Sequence, residues 1–157
     1  MGAYTKISDL VTGTEGKAYI TVDGSNRYFF ELSKINASIE FSVIAKRLLG
    51  HRMKQHKVVG AEGKGDMTIY NVSPAALKIY NDYIKTGKTP EISIQTINED
   101  PSATIGRRTV TLRCVILSKV PVMALDDDSE DLDKFDTDFT FDDLDNIESY
   151  NIPDNMR

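Results

Sequence analysis

Residues 133–145 read D-K-F-D-T-D-F-T-F-D-D-L-D, and two readings compete for them. A run this dense in carboxylates has the composition of a solvated tail, because it offers little apolar surface to offset the entropy of ordering. The spacing points elsewhere. Phe135, Thr137, Phe139 and Phe141 take alternate positions, with Asp136, Asp138, Thr140 and Asp142 between them. A period of two places every ring on one face of an extended chain. The stretch is therefore expected to be the last strand of the fold, with Phe135, Phe139 and Phe141 in a core and carboxylates on its other face.

Outward from that strand the chain reads mostly as β-structure. Residues 17–22 and 27–32 are β-prone runs flanking the turn-rich quartet D-G-S-N, a hairpin signal. Ile39, Phe41, Val43 and Ala45 alternate with Ser38, Glu40 and Ser42, and then the pattern dissolves into L-L-G-H-R-M-K-Q-H. Residues 46–64 are expected to form an extended basic loop. It returns through V-V-G-A-E-G-K-G, whose glycines permit bulges if the two arms pair as a long hairpin. One helix is expected: Ser73 can cap it, Pro74 suits its first position and Gly87 can end it. Ala76, Leu77, Tyr80, Tyr83 and Ile84 share its apolar arc. Further strands are expected over 91–97 and 108–119. Many strands with one helix imply a mainly β fold, a sandwich or barrel with the helix over one opening or edge.

At 157 residues and 40% apolar content the chain suits a single domain over 1–157. No apolar run approaches the roughly 20 residues that cross a bilayer, and the first residues lack signal-peptide order. Synthesis and use in a reducing cytoplasm, without membrane anchoring, is the expectation. Cys114, the single cysteine, alternates with Leu112 and Ile116 and is expected to be a buried small hydrophobe. Charge is divided unevenly. Residues 1–125 carry 17 Lys and Arg against 11 Asp and Glu, and residues 126–157 carry 2 against 13. A basic body thus precedes an acidic segment, 126–149. The cations bunch at Lys46, Arg47, Arg52, Lys54 and Lys57. Such polarity lets copies of one chain attract each other head to tail, or lets it meet partners of opposite charge.

Motifs for catalysis fail one by one. Gly87-Lys88-Thr89 ends like a phosphate-binding loop, but Asp82 stands where that pattern needs Gly, and the triplet follows a helix instead of opening one. His51 and His56 lie five apart in a cationic loop with no cysteine near, a poor zinc spacing. The run 126–131 resembles a calcium loop until its sixth position, where Asp131 replaces the required Gly. No nucleophile, base and oxyanion site assemble, so the expectation is a non-enzyme with no cofactor and no metal.

Four separated stretches carry a family resemblance: G-T-E-G-K-A-Y-I-T-V-D-G at 13–24, G-K-G-D-M-T-I-Y-N-V-S at 63–73, N-E-D-P-S-A-T-I-G-R-R-T-V-T-L at 98–112 and D-F-T-F-D-D at 138–143. Together they resemble the tail tube proteins of PBSX-like contractile phage tails, a group similar to R-type bacteriocin tubes. The resemblance implies two packed antiparallel β-sheets with a flanking helix and a protruding hairpin. It also implies a non-catalytic subunit whose hexameric rings stack into a hollow tube inside a contractile sheath. The partners so implied are further copies of the chain, the sheath, baseplate and tail-terminator proteins, and DNA passing through the lumen of a phage. Its implied location is the bacterial host cytoplasm during assembly and then the virion or tail-like particle.

Within that frame Lys46, Arg47, Arg52, Lys54 and Lys57 are candidates for a subunit interface, since an oligomer can order a long exposed loop against a neighbour. Asp127, Asp128, Glu130 and Asp131 are candidates for docking a basic sheath surface. Two rival functions remain: a nucleic-acid-binding module using the basic loop on phosphates, and an acidic DNA mimic or inhibitor using the carboxylates of residues 126–148. Filter binding at low salt tests the first. Sedimentation tests the second, because a mimic stays small and a tube protein gives rings or filaments.

Overall fold

The computed structural model describes residues 7–9, 16–29, 31–71, 74–99, 101–123, 125, 127 and 134–148. Strands β1 (Gly16–Val22) and β2 (Ser25–Tyr28) form the expected hairpin. Its turn needs only Asp23 and Gly24, at φ 48° and 88°, the doubly left-handed turn whose twist matches that of paired strands. Phe29 then turns into the core, and the chain crosses to a second sheet. There β3 (Leu32–Lys46) and β4 (Gln55–Tyr70) pair along nearly their whole length. Helix α1 (Ala75–Thr86) leads back to the first sheet through β5 (Ile92–Glu99) and β6 (Arg107–Arg113). Strands β7 (Ile116–Leu117), β8 (Lys134–Phe141) and β9 (Asp143–Glu148) complete the order. Two antiparallel sheets result, β2-β1-β5-β6-β9 and β3-β4-β8-β7.

The acidic stretch is strand β8, paired with β4 from Gly63 to Tyr70. Thr137, Phe139 and Phe141 are buried and Asp136, Asp138 and Thr140 exposed, so the period-two pattern becomes two faces of a sheet. Glycines on β4 complete the arrangement. Gly63 and Gly65 lie opposite Phe141 and Phe139, and a Cβ at either position would overlap the facing ring. Phe139 and Met67, 2% and 1% exposed, join Ile92, Ile94 and Val115 at the centre of the core between the sheets.

Several expectations need correction. The strand expected over 108–119 is broken at Cys114, which takes φ 55° and is exposed. An unbroken strand would bury Leu112, Cys114 and Ile116 together. The left-handed residue shifts the alternation by one, so Val115 turns inward, its N–H donating to the Ile92 carbonyl at 2.9 Å, and Ile116 is left exposed. β8 is not the last strand: at Asp142 the chain leaves the second sheet, and β9 pairs with β6 in the first. In α1, Ala76, Ile79 and Tyr80 meet the core while Tyr83 and Ile84 are exposed, because the last turn lies beyond it. Gly87 does end the helix, at φ 78°. Pro74 stands at the N-cap with no side-chain cap bond, and Ser73 lies outside the described residues. The segment 46–64 is mostly ladder: Lys46 ends β3, Gln55 opens β4, and the connecting turn is only 47–54.

Candidate functional site

The β3–β4 hairpin outgrows its own domain. Ile35, Ala37, Ile39 and Phe41 face Met67, Gly65, Gly63 and Ala61 on the side that lines the core. Only the first part of that row is covered. Ile35 packs against the core, whereas Ile39 is 39% and Phe41 62% exposed. Past Ser42 the register shifts, leaving Val59 as the extra residue of a bulge, and the exposed Val43 pairs with the exposed Val58. An alternation that buries one face thus continues into solvent, where an apolar row gains nothing unless another surface covers it.

Beyond the row the hairpin becomes cationic. Lys46, Arg47, Arg52, Lys54 and Lys57 are all exposed, and residues 41–61 contain no Asp or Glu to balance them. Across the ladder Lys46 faces Gln55 and Lys57 faces Ile44, which puts both lysines on one side of the ribbon. The turn is closed by the His51 N–H donating to the Leu48 carbonyl at 3.1 Å, with Gly50 at φ 85°. Leu49 and Met53 stand out from it, 102% and 82% exposed. Sequence reasoning singled out the cations and passed over these apolar neighbours. The signal was their presence in a segment with no helical or strand period to bury them.

On its opposite face the four-stranded sheet is polar. Asp66 pairs with Asp138, and Thr68 donates its hydroxyl to Asp136 Oδ1 at 2.6 Å. Lys64 bridges Glu62 at 3.3 Å and Glu40 at 3.6 Å, and the Glu62 carboxylate, then Glu40, raises its pKa above the ordinary lysine value. Asp136 and Asp138 therefore share one outward face, while Asp142 sits at the crossing between sheets. Of the docking candidates Asp127 is exposed, and Asp128, Glu130 and Asp131 lie outside the described residues. Near the helix, Tyr80 accepts a hydrogen bond from the Leu117 N–H at 2.9 Å. Burial raises its phenol pKa, an effect that this bond partly opposes.

The sheets end in unlike edges. Among the described residues β3 is unpaired along one side, β7 is two residues long, and β2 and β9 bound the other sheet. Open edges offer backbone donors and acceptors to another chain. Among the described residues no three His, Cys, Asp or Glu side chains gather to hold a metal ion, and no helix is long and apolar enough to cross a membrane. What the site offers is noncovalent association through apolar area, edge backbone and charge.

Several known proteins resemble this chain. Uncharacterized protein YqbM of Bacillus subtilis (strain 168) is 32% identical over 140 residues, 89% of this chain and 92% of that one. The phage-like element PBSX protein XkdM of the same organism is 31% identical over the same shares. In fold the chain is similar to one in the sheath-tube complex of an extracellular contractile injection system in its extended state. That TM-score is 0.65 at 10% identity, over 90% of this chain and 95% of the other. With residues 3–148 matched by the family described as phage tail tube protein, the chain belongs to that family, as a structural subunit of a tail tube.

Proposed function

We propose that the whole chain acts as one domain whose copies close into hexameric rings, stacked into the inner tube of a contractile tail or tail-like particle. The observation that carries this is the apolar row of Ile39, Phe41, Val43 and Val58, an exposed extension of the core face with none of the described residues packed over it. A ring needs one heterologous contact repeated about an axis, and a stack needs a second contact that never closes. Unlike edges on the four-stranded sheet suit the first, and the hairpin with its cationic tip suits the second. The subunit is non-catalytic. It assembles in the cytoplasm of a bacterial host and ends in the particle, among baseplate, terminator and sheath proteins.

The similar sheath-tube complex supports a sheath around this tube, and Asp127, Asp128, Glu130 and Asp131 are the proposed docking residues. In a phage the lumen passes DNA. A wall facing it with carboxylates such as Asp136 and Asp138 lets the duplex slide, whereas cations would hold its phosphates. A nucleic-acid-binding role for the hairpin tip is disfavoured because residues 46–57 contain no Phe, Tyr or Trp to stack on bases. Sedimentation and negative-stain microscopy of the purified chain over a range of concentrations test the reading. Rings or hollow filaments are expected, and a chain that stays monomeric at every concentration defeats it.

A further inference from the structure

Helix α1 stands at the edge of the four-stranded sheet opposite β3. Its Tyr80 accepts the hydrogen bond from the Leu117 N–H of β7 at 2.9 Å, and the strand order β3-β4-β8-β7 puts β3 on the far side. Ala76, Ile79 and Tyr80 pack against the core, so the helix closes the opening between the sheets on that side. The last turn runs past the core and leaves Tyr83 and Ile84 exposed. It leads through Gly87 to Ile92, whose carbonyl accepts from the Val115 N–H just beyond the end of β6. Phe141 lies at the same end of the sandwich, because Asp142 follows it and donates its N–H to the Arg113 carbonyl at 3.2 Å. Through Gly63, Ile39 is level with Phe141, and Phe41 lies past it. Two exposed apolar patches of one copy therefore share an end of the molecule and stand on its opposite edges.

We propose that Ile39 and Phe41 of one copy pack on Tyr83 and Ile84 of the next, as the apolar part of the contact that closes the ring. Position selects the occupant. Rotation about an axis brings the β3 edge of one copy to the α1 edge of its neighbour, so each patch arrives where the other is bare. Both patches are exposed aliphatic and aromatic side chains, and covering each other removes them from water. Tyr80 shapes the contact as well. It occupies the outward Leu117 N–H, so at that position a neighbour's β3 cannot extend the ladder and side chains carry the contact. Other exposed apolar residues lie elsewhere. Tyr28 is on β2 of the other sheet, and Ile116 pairs with Thr140 on the polar face. Val122 and Met123 follow Lys119, which stands over the Phe135 ring towards the opposite end of β8. This inference rests on the ring reading above and assigns the surface that receives its exposed row.

Ile84→Ala separates an interface role from a structural one. Ile84 is exposed and alanine favours helix, so the Tm of the dissociated chain should not fall. Assembly should need about tenfold more protein. Phe41→Ala should act in the same direction, and the double variant should need no more protein than the worse single one, because removing either partner already empties the contact. Effects that multiply place the two residues in separate contacts and overturn the proposal. Assembly of Ile84→Ala at the wild-type concentration overturns it too, whatever its Tm. Should a single variant fail to fold or block assembly outright, the smaller truncations Ile84→Val and Phe41→Leu give the same comparison and are read in the same way. Wild-type tubes beside an unimpaired Ile84 variant sink the α1 contact alone. A wild type that forms no ring or tube sinks the ring reading and the α1 contact together.

Discussion

Phe139 and Phe41 look alike in the sequence, each an aromatic within a period-two row, and they differ in what lies over them. Phe139 is 2% exposed beneath the opposing sheet, Phe41 62% exposed on the hairpin. Phe139→Ala should therefore cost ~3 to 5 kcal/mol in urea unfolding, the range for emptying a buried aromatic site. Phe41→Ser should change subunit stability by no more than about 0.5 kcal/mol while reducing assembly in sedimentation. Equal effects of the two on the melting of the lone subunit would contradict this division. Tyr80 adds a pH dependence. Its folded pKa is raised by burial above the ordinary 10.0, so its contribution is complete below that value. The contribution is lost as pH rises through the folded pKa, because the unfolded chain releases a proton that the folded one retains. Denaturation followed above pH 10 should show a falling stability that Tyr80→Phe flattens. That variant also loses the acceptor for the Leu117 N–H, about 1 kcal/mol at all pH values.

At the scale of elements, the hairpin divides folding from assembly. Its proximal half is held by β8 through the Gly63–Phe141 and Gly65–Phe139 pairs, while its distal half carries only exposed side chains. Replacing Arg52, Lys54 and Lys57 by Ser should leave the melting curve of the subunit in place, since exposed charges contribute little to stability. It should reduce stacked tubes in electron micrographs, and added salt should have the same effect on the wild type if the contacts are ionic. Undiminished polymerisation of the triple variant would remove the tip from the interface. The strand content and the position of the helix were legible here because periodicity and end signals are local. Cys114 was misread because a single left-handed residue reverses the inward side, and nothing in the triplet Arg113-Cys114-Val115 announces that reversal.

At the scale of the whole molecule, charge is divided between a cationic hairpin tip and a stretch of sequence, 126–157, with 13 Asp and Glu against 2 Lys and Arg. Reversing Asp127, Asp128, Glu130 and Asp131 to Lys should abolish co-assembly with a sheath while bare tubes still form. Sheathed particles of normal length from that variant would show that docking lies elsewhere.

By itself the sequence determined which residues alternate, where charge accumulates, which stretches turn, and, through four separated motifs, which family the chain resembles. These properties depend on neighbours a few positions apart. Tertiary structure alone decided that β8 and β9 belong to different sheets, that the last turn of α1 lies beyond the core, and that one apolar row is covered at Ile35 and bare at Phe41. Burial is a property of what packs above a residue, and in this chain those partners come from strands far apart in sequence, as when Gly65 of β4 receives the ring of Phe139 from β8.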